Sequence, residues 1–384
     1  MKVLMVHPHD IGSSLEPWTV RIVRLAAALA ARGHQVVLAH FPYEAGSGIS
    51  LPGIRIVELK RVMSLRAFAD NTRALYTLAR EVDMVHFQKC QFYAALPSVL
   101  AAYMAGKRLH YDWDDWEERI FDRAIEKKGL STWLTSISFY LLERFLPVMA
   151  DSISVASRSL EDLALRRGGK RSRVVWIPVG ADMRQFHPAT DRLAVRKKFG
   201  LKEELLVFYH GQLHSCQYGD LFLEVIKIIC PSPGLAPMRF MIVGDGTDLN
   251  RLKKAAEKLG VSEHVMFTGF VPHEEIAAYI AAADICVAPF EDNEVTRCKS
   301  PLKIVEYLAS GKPVVASAVG EVPYMLGDAG ICVPPGDAEA LARGVLQLVA
   351  DADLRKALSA KARSRAGIFD WDISAQKLEA FYAT

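Results

Sequence analysis

Residues 3–39 read VLMVHPHDIGSSLEPWTVRIVRLAAALAARGHQVVLA, and this stretch decides the fold. Val3–Leu4–Met5–Val6 is a short apolar run stopped by His7 and Pro8, as expected of a strand buried on both faces. A loop from His9 to Pro17 follows and carries Gly12–Ser13–Ser14. Thr19 to Ala31, rich in alanine, leucine and arginine, reads as a helix with Gly33 placed to terminate it. Val36–Val37–Leu38–Ala39 is a second apolar run. Strand, loop, helix and strand within about 40 residues make one βαβ unit of a parallel sheet.

The pattern continues outward. Ile54–Val57, Met84–Phe87, Arg108–Tyr111, Ser152–Val155 and Val174–Ile177 read as further short strands, most of them separated by helical stretches. The turn-rich passage Pro178–Val179–Gly180–Ala181–Asp182 and the charged stretch up to Gly200 read as an interdomain connection. A second series then begins, with Leu205–Tyr209, Phe240–Val243, Val265–Thr268, Ile285–Ala288, Val314–Ala316 and Ile331–Val333 as strands. Leu249–Leu259 and Glu274–Ala282 are among the helices between them. The fold class is therefore α/β: two Rossmann-like, doubly wound domains facing across a cleft, over residues 1–180 and 190–369. A helix within 370–384 is expected to cross back to the first domain. Such sheets bind ligands outside the carboxyl ends of their strands.

Composition narrows the function. A chain of 384 residues suits two cores better than one. A hydrophobic share of 51% and a charged share of 24% belong to a soluble globular protein. A net charge of +3 is too mild to point to a nucleic-acid partner. Cys90, Cys216, Cys230, Cys286, Cys298 and Cys332 are scattered without a CxxC pair, which implies reduced thiols. The opening MKVLMVHPHD meets His7 and Asp10 too early for a secretory signal, and no apolar run reaches the length of a spanning helix. A cytoplasmic protein is expected.

The chemistry concentrates between Cys298 and Ala316, in CKSPLKIVEYLASGKPVVA. Ser300 reads as an N-cap and Pro301 as the first helical residue. The free backbone N–H groups at this helix start, from Ser300 through Pro301, Leu302 and Lys303 (the proline itself offering none), would form an anion site, with the Lys303 cation in the first turn. Glu306, one turn on, can accept both hydroxyls of a ribose while the helix start holds a diphosphate. Val243–Gly244–Asp245–Gly246 ends a strand and places Gly244 and Gly246 at the same edge. Phe267–Thr268–Gly269–Phe270–Val271–Pro272 follows another strand, where backbone can read a base edge and Phe270 or Val271 can cover its ring.

In this order, five segments resemble the retaining glycosyltransferases of family 4, which have the GT-B fold: LAAALAARGHQVVL, WIPVGADMRQFHP, VGDGTDLNRLKKAAEKLG, VMFTGFVPHEEIAAYIAAADICVAP and SPLKIVEYLASGKPVVAS. The resemblance covers nearly the whole chain and is strongest from Phe240 to Pro335. It implies a sugar moved from a nucleoside-diphosphate donor, with no cofactor and no metal, to a carbohydrate, lipid-linked or small-molecule acceptor.

Carried over residue by residue, the resemblance makes Glu306 the ribose ligand, the second Glu of a Glu-x7-Glu motif whose first position here is Cys298. Ser300 to Lys303 would take the pyrophosphate. His210–Gly211–Gln212–Leu213 and Tyr218–Gly219 stand where the family usually has Gly-Arg-Leu and Lys-Gly. Gln212 and Tyr218 thus replace two cations that neutralise the leaving diphosphate, a term typically worth several kcal/mol. Lys303, Lys299, Arg297 and His214 are the candidate substitutes. Gly12 belongs to a loop resembling the family's N-terminal glycine loop, and Asp114, in YDWDDW, takes the place of a His that touches the sugar. Asp114 and Lys303 are the catalytic candidates; Gly12, Gly211, Gln212, Gly244, Gly246, Phe270, Val271, Ser300, Pro301, Leu302, Lys303 and Glu306 are the donor-binding ones.

Two other readings stay open: a GT-B sugar-nucleotide epimerase or phosphorylase, and a subunit that has lost activity and serves as a binding partner. Leu130 to Ala150, apolar with Trp133, Phe139, Tyr140 and Phe145 and preceded by Lys127–Lys128, reads as a core helix. Its other reading is an interfacial helix holding the protein at the inner face of a membrane.

Overall fold

The computed structural model describes residues 1–384 other than 14–15, 45, 47, 63, 126–128, 215–217, 231–235 and 384, and of Pro17 the backbone alone. Ser14, Lys127, Lys128 and Cys216 thus lie outside the described residues. The chain forms two units, Met1–Val179 with Trp371–Thr384, and Gly180–Asp370.

The first unit begins with β1 (Lys2–His7), α1 (Val20–Ala31), β2 (Gln35–His40), β3 (Ile54–Glu58), α2 (Leu65–Arg80), β4 (Met84–Gln88) and α3 (Phe92–Ala105). It continues with β5 (Arg108–Trp113), α4 (Glu117–Ala124), α5 (Leu130–Met149), β6 (Ser152–Val155), α6 (Arg158–Arg166) and β7 (Val174–Trp176). All seven strands are parallel, in the order β3-β2-β1-β4-β5-β6-β7. Every residue of β4 and β6 is buried, because helices cover both faces of the sheet. That is why the strands read as continuous apolar runs without alternation.

β5 runs two residues past the expected end at Tyr111, so Asp112 lies inside the sheet, opposite Ser154. Arg21 on α1 makes this tolerable. Its Nε and Nη2 each donate to the carboxylate at 2.8 Å, and its Nη1 donates to the Ile177 carbonyl at 2.9 Å. Ser154 Oγ adds a bond of 2.5 Å. A buried charge needs such a full set of partners, and one of those partners stands 91 positions away.

The second unit runs α7 (Leu193–Lys198), β8 (Leu205–His210), α8 (Gly219–Ile229), β9 (Met238–Val243), α9 (Leu249–Lys258), β10 (Val265–Phe267), α10 (His273–Ala282) and β11 (Ile285–Ala288). Then come α11 (Glu294–Cys298), α12 (Leu302–Ala309), β12 (Val314–Ser317), α13 (Val322–Leu326), β13 (Gly330–Val333), α14 (Ala338–Ala350) and α15 (Ala352–Ala366). The sheet is parallel, in the order β10-β9-β8-β11-β12-β13. Arg363 on α15 donates to the carbonyls of Met183, Phe186 and Ala309 at 3.1, 2.9 and 2.6 Å, which fixes the stretch entering this unit.

The last helix, α16 (Trp371–Tyr382), packs with the first unit. Glu379 accepts from Arg32 at 2.6 Å and pairs with His34 at 3.1 Å, and the Tyr382 hydroxyl bonds to His86. Cys90, Cys230, Cys286, Cys298 and Cys332 are free thiols. α5 differs from a core helix. Phe139, Leu142, Leu146 and Pro147 face inward, whereas Trp133, Tyr140 and Phe145 are exposed.

Candidate functional site

In both sheets the strand order reverses once, between β1 and β4 and between β8 and β11. The loops leaving the carboxyl ends of such neighbouring strands diverge to opposite faces and open a crevice, the usual ligand position of this architecture. Gly12 follows β1, Gly211 and Gln212 follow β8, and residues 300–306 come after β11, beside these points; Asp114, Gly244, Gly246, Phe270 and Val271 follow other strands of the same two sheets.

In the second unit, three loops are laced together backbone to backbone. Gly211 N donates to Val243 O at 3.0 Å, Gly244 N to Gly269 O at 3.1 Å, and Leu213 N to Asp245 O at 2.9 Å. The approach is so close that a β-carbon on Gly244 would stand 1.9 Å from Gly211 O, and one on Gly246 would stand 2.2 Å from Leu213 O. Both glycines also take positive φ, +144° and +154°. Loop packing thus accounts for these two glycines.

α12 begins one residue later than its sequence suggests. Pro301, extended at ψ 113°, occupies the cap position, and Leu302 is the first helical residue. Ser300 is buried just before the proline, which disfavours the helical region for the residue preceding it. The expected Ser300 side-chain cap is therefore corrected to a proline-started helix; Leu302 and Lys303, both half-buried, form the opening of its first turn.

Glu306 is buried, yet both its oxygens are used. His273 Nε2 lies 2.7 Å from Oε1 and His210 Nε2 lies 3.0 Å from Oε2. A carboxylate accepts only, so both imidazoles donate. Burial by itself raises the carboxyl, but the hydrogen bonds from His210 and His273 outweigh it and hold Glu306 down at about 2. His210 itself is lowered, chiefly by loss of water. Each carboxylate oxygen keeps a second lone pair, so the ionised Glu306 can still accept hydroxyl hydrogens.

Lys303 stands beside this carboxylate. Its ammonium lies 4.4 Å from the centre of the Tyr209 ring and 5.6 Å from that of Phe290. It also fills the space that a β-carbon on Gly211 would enter, at 2.7 Å. Desolvation, with Lys299 second, pulls it down to about 7. Two of the other candidate cations are engaged elsewhere. Arg297 pairs with Asp292 at 2.5 Å, and His214 contacts Thr247 at 3.2 Å. Lys299 is half-buried.

Gln212 is half-buried, two residues past the end of β8. Tyr218, standing where the family has lysine, is buried: its hydroxyl bonds to Thr296, accepts from Asn293 Nδ2 at 2.9 Å, and its ring packs edge-on against Phe290. It ties the start of α8 to α11. Phe270 is 43% exposed and Val271 half-buried in the loop before α10, so a planar group could be covered there.

In the first unit, Asp114 follows β5 and accepts from Gln88 Nε2 at 2.7 Å. Lys89, which the sequence reading passed over, leaves β4 with φ +67°, in the left-handed region that favours glycine. Its buried ammonium stands 3.3 Å from Asp114 and 3.8 Å from Asp115, and it bonds to Glu117. Burial leads in pushing the Asp114 carboxyl up to about 7; the Lys89 cation works against this and the Asp115 and Glu117 charges add to it. Gly12 N donates to Asp10 Oδ1 at 3.0 Å in the loop after β1. Close by, Glu16 pairs with His9 and accepts from Arg61 and Tyr43, all at 3.0 Å.

His210, His273 and Lys89 are thus functional candidates that sequence reasoning missed. His273 had a local signal, as the residue opening α10 directly after the Phe270–Val271–Pro272 loop. His210 and Lys89 had only their position at strand ends flanking the reversal points.

Two parallel doubly wound units with these terminal loops define the GT-B class. The family model described as glycosyl transferases group 1 matches residues 191–365, and that described as glycosyl transferase 4-like domain matches residues 19–180. The chain belongs to the group 1 glycosyltransferases. It is 31% identical over 216 residues to a D-inositol 3-phosphate glycosyltransferase of Corynebacterium jeikeium, covering 54% of this chain and 50% of that one. It is also 31% identical over 210 residues to a GDP-mannose-dependent alpha-(1-6)-phosphatidylinositol monomannoside mannosyltransferase of Mycolicibacterium smegmatis, covering 53% and 54%. The aligned stretch spans about half the length of these curated relatives. Among solved structures, sucrose-phosphate synthase from Thermosynechococcus elongatus superposes with a TM-score of 0.77 at 19% identity, covering 100% of this chain and 98% of that one. HepE of Anabaena in complex with UDP and glucose superposes with a TM-score of 0.78 at 17% identity, covering both chains fully at 100%. These two likenesses concern the fold.

Proposed function

We propose that this chain transfers a sugar from a nucleoside-diphosphate sugar to an acceptor hydroxyl, with retention of configuration. The observation that carries the reading is the ionised, buried Glu306, held by two histidines one turn into α12 and next to the Lys303 ammonium. A fixed carboxylate acceptor beside a cation and a helix start matches the ribose-diphosphate part of such a donor.

In this reading Glu306 accepts the ribose hydroxyls, and the opening of α12 with Lys303 takes the diphosphate. The Phe270–Val271 loop covers the base. As the bond from the anomeric carbon to the diphosphate oxygen breaks, Lys303 offsets the charge gathering on the leaving group. The acceptor oxygen bonds to the anomeric carbon on the same face, and its proton passes to the departing diphosphate. This scheme requires no side-chain general base. Within the first unit, Asp114 and Lys89 are the groups offered to acceptor hydroxyls. Relatives described as inositol-phosphate and phosphatidylinositol-mannoside transferases support a polyol or glycolipid acceptor. A UDP-glucose complex of one fold neighbour and a GDP-mannose-dependent relative support a diphosphate donor with either base.

Calorimetry with UDP, GDP and their hexose conjugates, followed by proton NMR of the product anomer, tests the reading. Binding of one diphosphate and an anomer matching the donor's are expected. Absence of nucleotide binding, or an inverted product, sinks it.

A further inference from the structure

α5 is apolar on both of its sides. Phe139, Leu142, Leu146 and Pro147 are buried against the first unit, while Trp133, Leu134, Tyr140, Leu141, Phe145 and Val148 are each more than 40% exposed. The outward residues recur at helical spacing of three, four and seven, so they form one stripe along the helix. Its charged residues are Glu143, which is buried, and Arg144, which is exposed. A helix with apolar residues on two faces ordinarily buries both. This one spends its outer face on water, an arrangement that marks an interaction surface. α3 widens it: Tyr103 and Met104 are 55% and 62% exposed, and the Tyr103 hydroxyl donates to Met149 O at 2.8 Å.

Charge lies at one end of the stripe. Val148 touches Gly168, whose β-carbon would stand 3.1 Å from Val148 Cγ2. Gly168 sits inside RRGGKRSR, residues 166–173, five cations in eight positions. Arg166, Lys170, Arg171 and Arg173 are exposed. Arg167 is instead turned inward to Glu118 at 3.2 Å. Aromatic residues beside cations match the boundary between lipid headgroups and acyl chains. A second copy of this chain would bring the same cations, whereas anionic headgroups complement them. Among the described residues no helix is long and apolar enough to cross a membrane, so α5, about 30 Å long, would lie in the plane.

We infer that the outer face of α5 and the basic run at 166–173 form a docking surface for an anionic lipid bilayer. The helix seats Trp133, Tyr140 and Phe145 at the acyl boundary, and Arg166, Lys170 and Arg173 meet the headgroups. This goes beyond the proposed transfer and does not depend on it.

The test is co-sedimentation of the whole chain with vesicles of phosphatidylcholine alone or of equal parts phosphatidylcholine and phosphatidylglycerol. Binding to the anionic vesicles, weakened by salt, is expected. The double variant Trp133→Ser/Phe145→Ser should lose it, and Lys170→Glu/Arg173→Glu should weaken it about tenfold or more. Melting temperature and nucleotide affinity should stay unchanged in both variants, because these side chains face outward. Sedimentation with neither vesicle overturns the inference, as does binding that the variants leave intact. Self-association in solution that Trp133→Ser/Phe145→Ser abolishes, without vesicle binding, would show a second copy covering the face and overturn it too.

Discussion

His273 reaches Glu306 across 2.7 Å, from the first residue of α10 to the middle of α12. The contact joins the loop after β10 to the helix after α11, and with His210 it leaves the carboxylate no freedom to rotate. Orientation, more than charge alone, is what a bidentate hydroxyl acceptor requires.

Glu306→Gln should therefore lower nucleotide affinity by about tenfold or more, the scale of a hydrogen bond to a charged group. His273→Ala should give a smaller loss, because one imidazole remains. Calorimetry with the cognate diphosphate measures both. The stability effect has a defined sign. Glu306 is lowered from 4.5 to about 2, so its contribution is present above about pH 4.5 and fades as pH falls toward 2. Urea unfolding should show wild type and Glu306→Gln converging at acid pH.

Lys303 makes binding take up a proton. Desolvation and Lys299 hold its ammonium near 7, and an arriving diphosphate restores it to full charge. At neutral pH about half a proton should enter per nucleotide bound. Affinity should fall as pH rises above 7. Calorimetry in two buffers of different ionisation enthalpy reads the uptake directly, and Lys303→Met should remove it.

Gly244→Ala should destabilise the second unit by about 1–3 kcal/mol, since the new methyl meets Gly211 O at 1.9 Å, backbone that cannot swing away. Gly367→Ala, with nothing within 4 Å and an ordinary helical φ, should be neutral or slightly stabilising. Chemical denaturation of the two variants compares them.

Asp114 titrates with the opposite sign to Glu306. Its carboxyl is raised from 3.8 to about 7, so its contribution is fully present below about pH 4 and is lost as pH rises through 7. Asp114→Asn should flatten that decline in thermal melts between these limits. An unchanged slope would mean that Lys89 keeps the carboxylate ionised throughout.

Much of the fold was legible because parallel strands covered on both faces must be short apolar runs. Val3–Val6, Ser152–Val155 and Ile285–Ala288 could be placed to within a residue or two. Strand ends were harder. The expected strand stopped at Tyr111, one residue short of Asp112, because nothing nearby in the chain announces Arg21 as its partner. Ser300 looked like a cap because serine commonly is one, yet the proline after it moved the helix start by one position.

The site divides along the same line. Glu306 and Lys303 share one turn of one helix, so their proximity follows from helical periodicity and could be read directly from SPLKIVE. The sequence by itself determined two doubly wound units and the helix on which the acceptor carboxylate stands, because both depend on local pattern. Only the tertiary structure decided what surrounds that carboxylate. His210 and His273 come from 96 and 33 positions away, and they meet Glu306 because the loops after neighbouring strands of a parallel sheet converge at one edge. Tertiary structure likewise buried Tyr218 and left the outer face of α5 bare, since burial is set by what packs opposite a residue, which its neighbours in the chain do not specify.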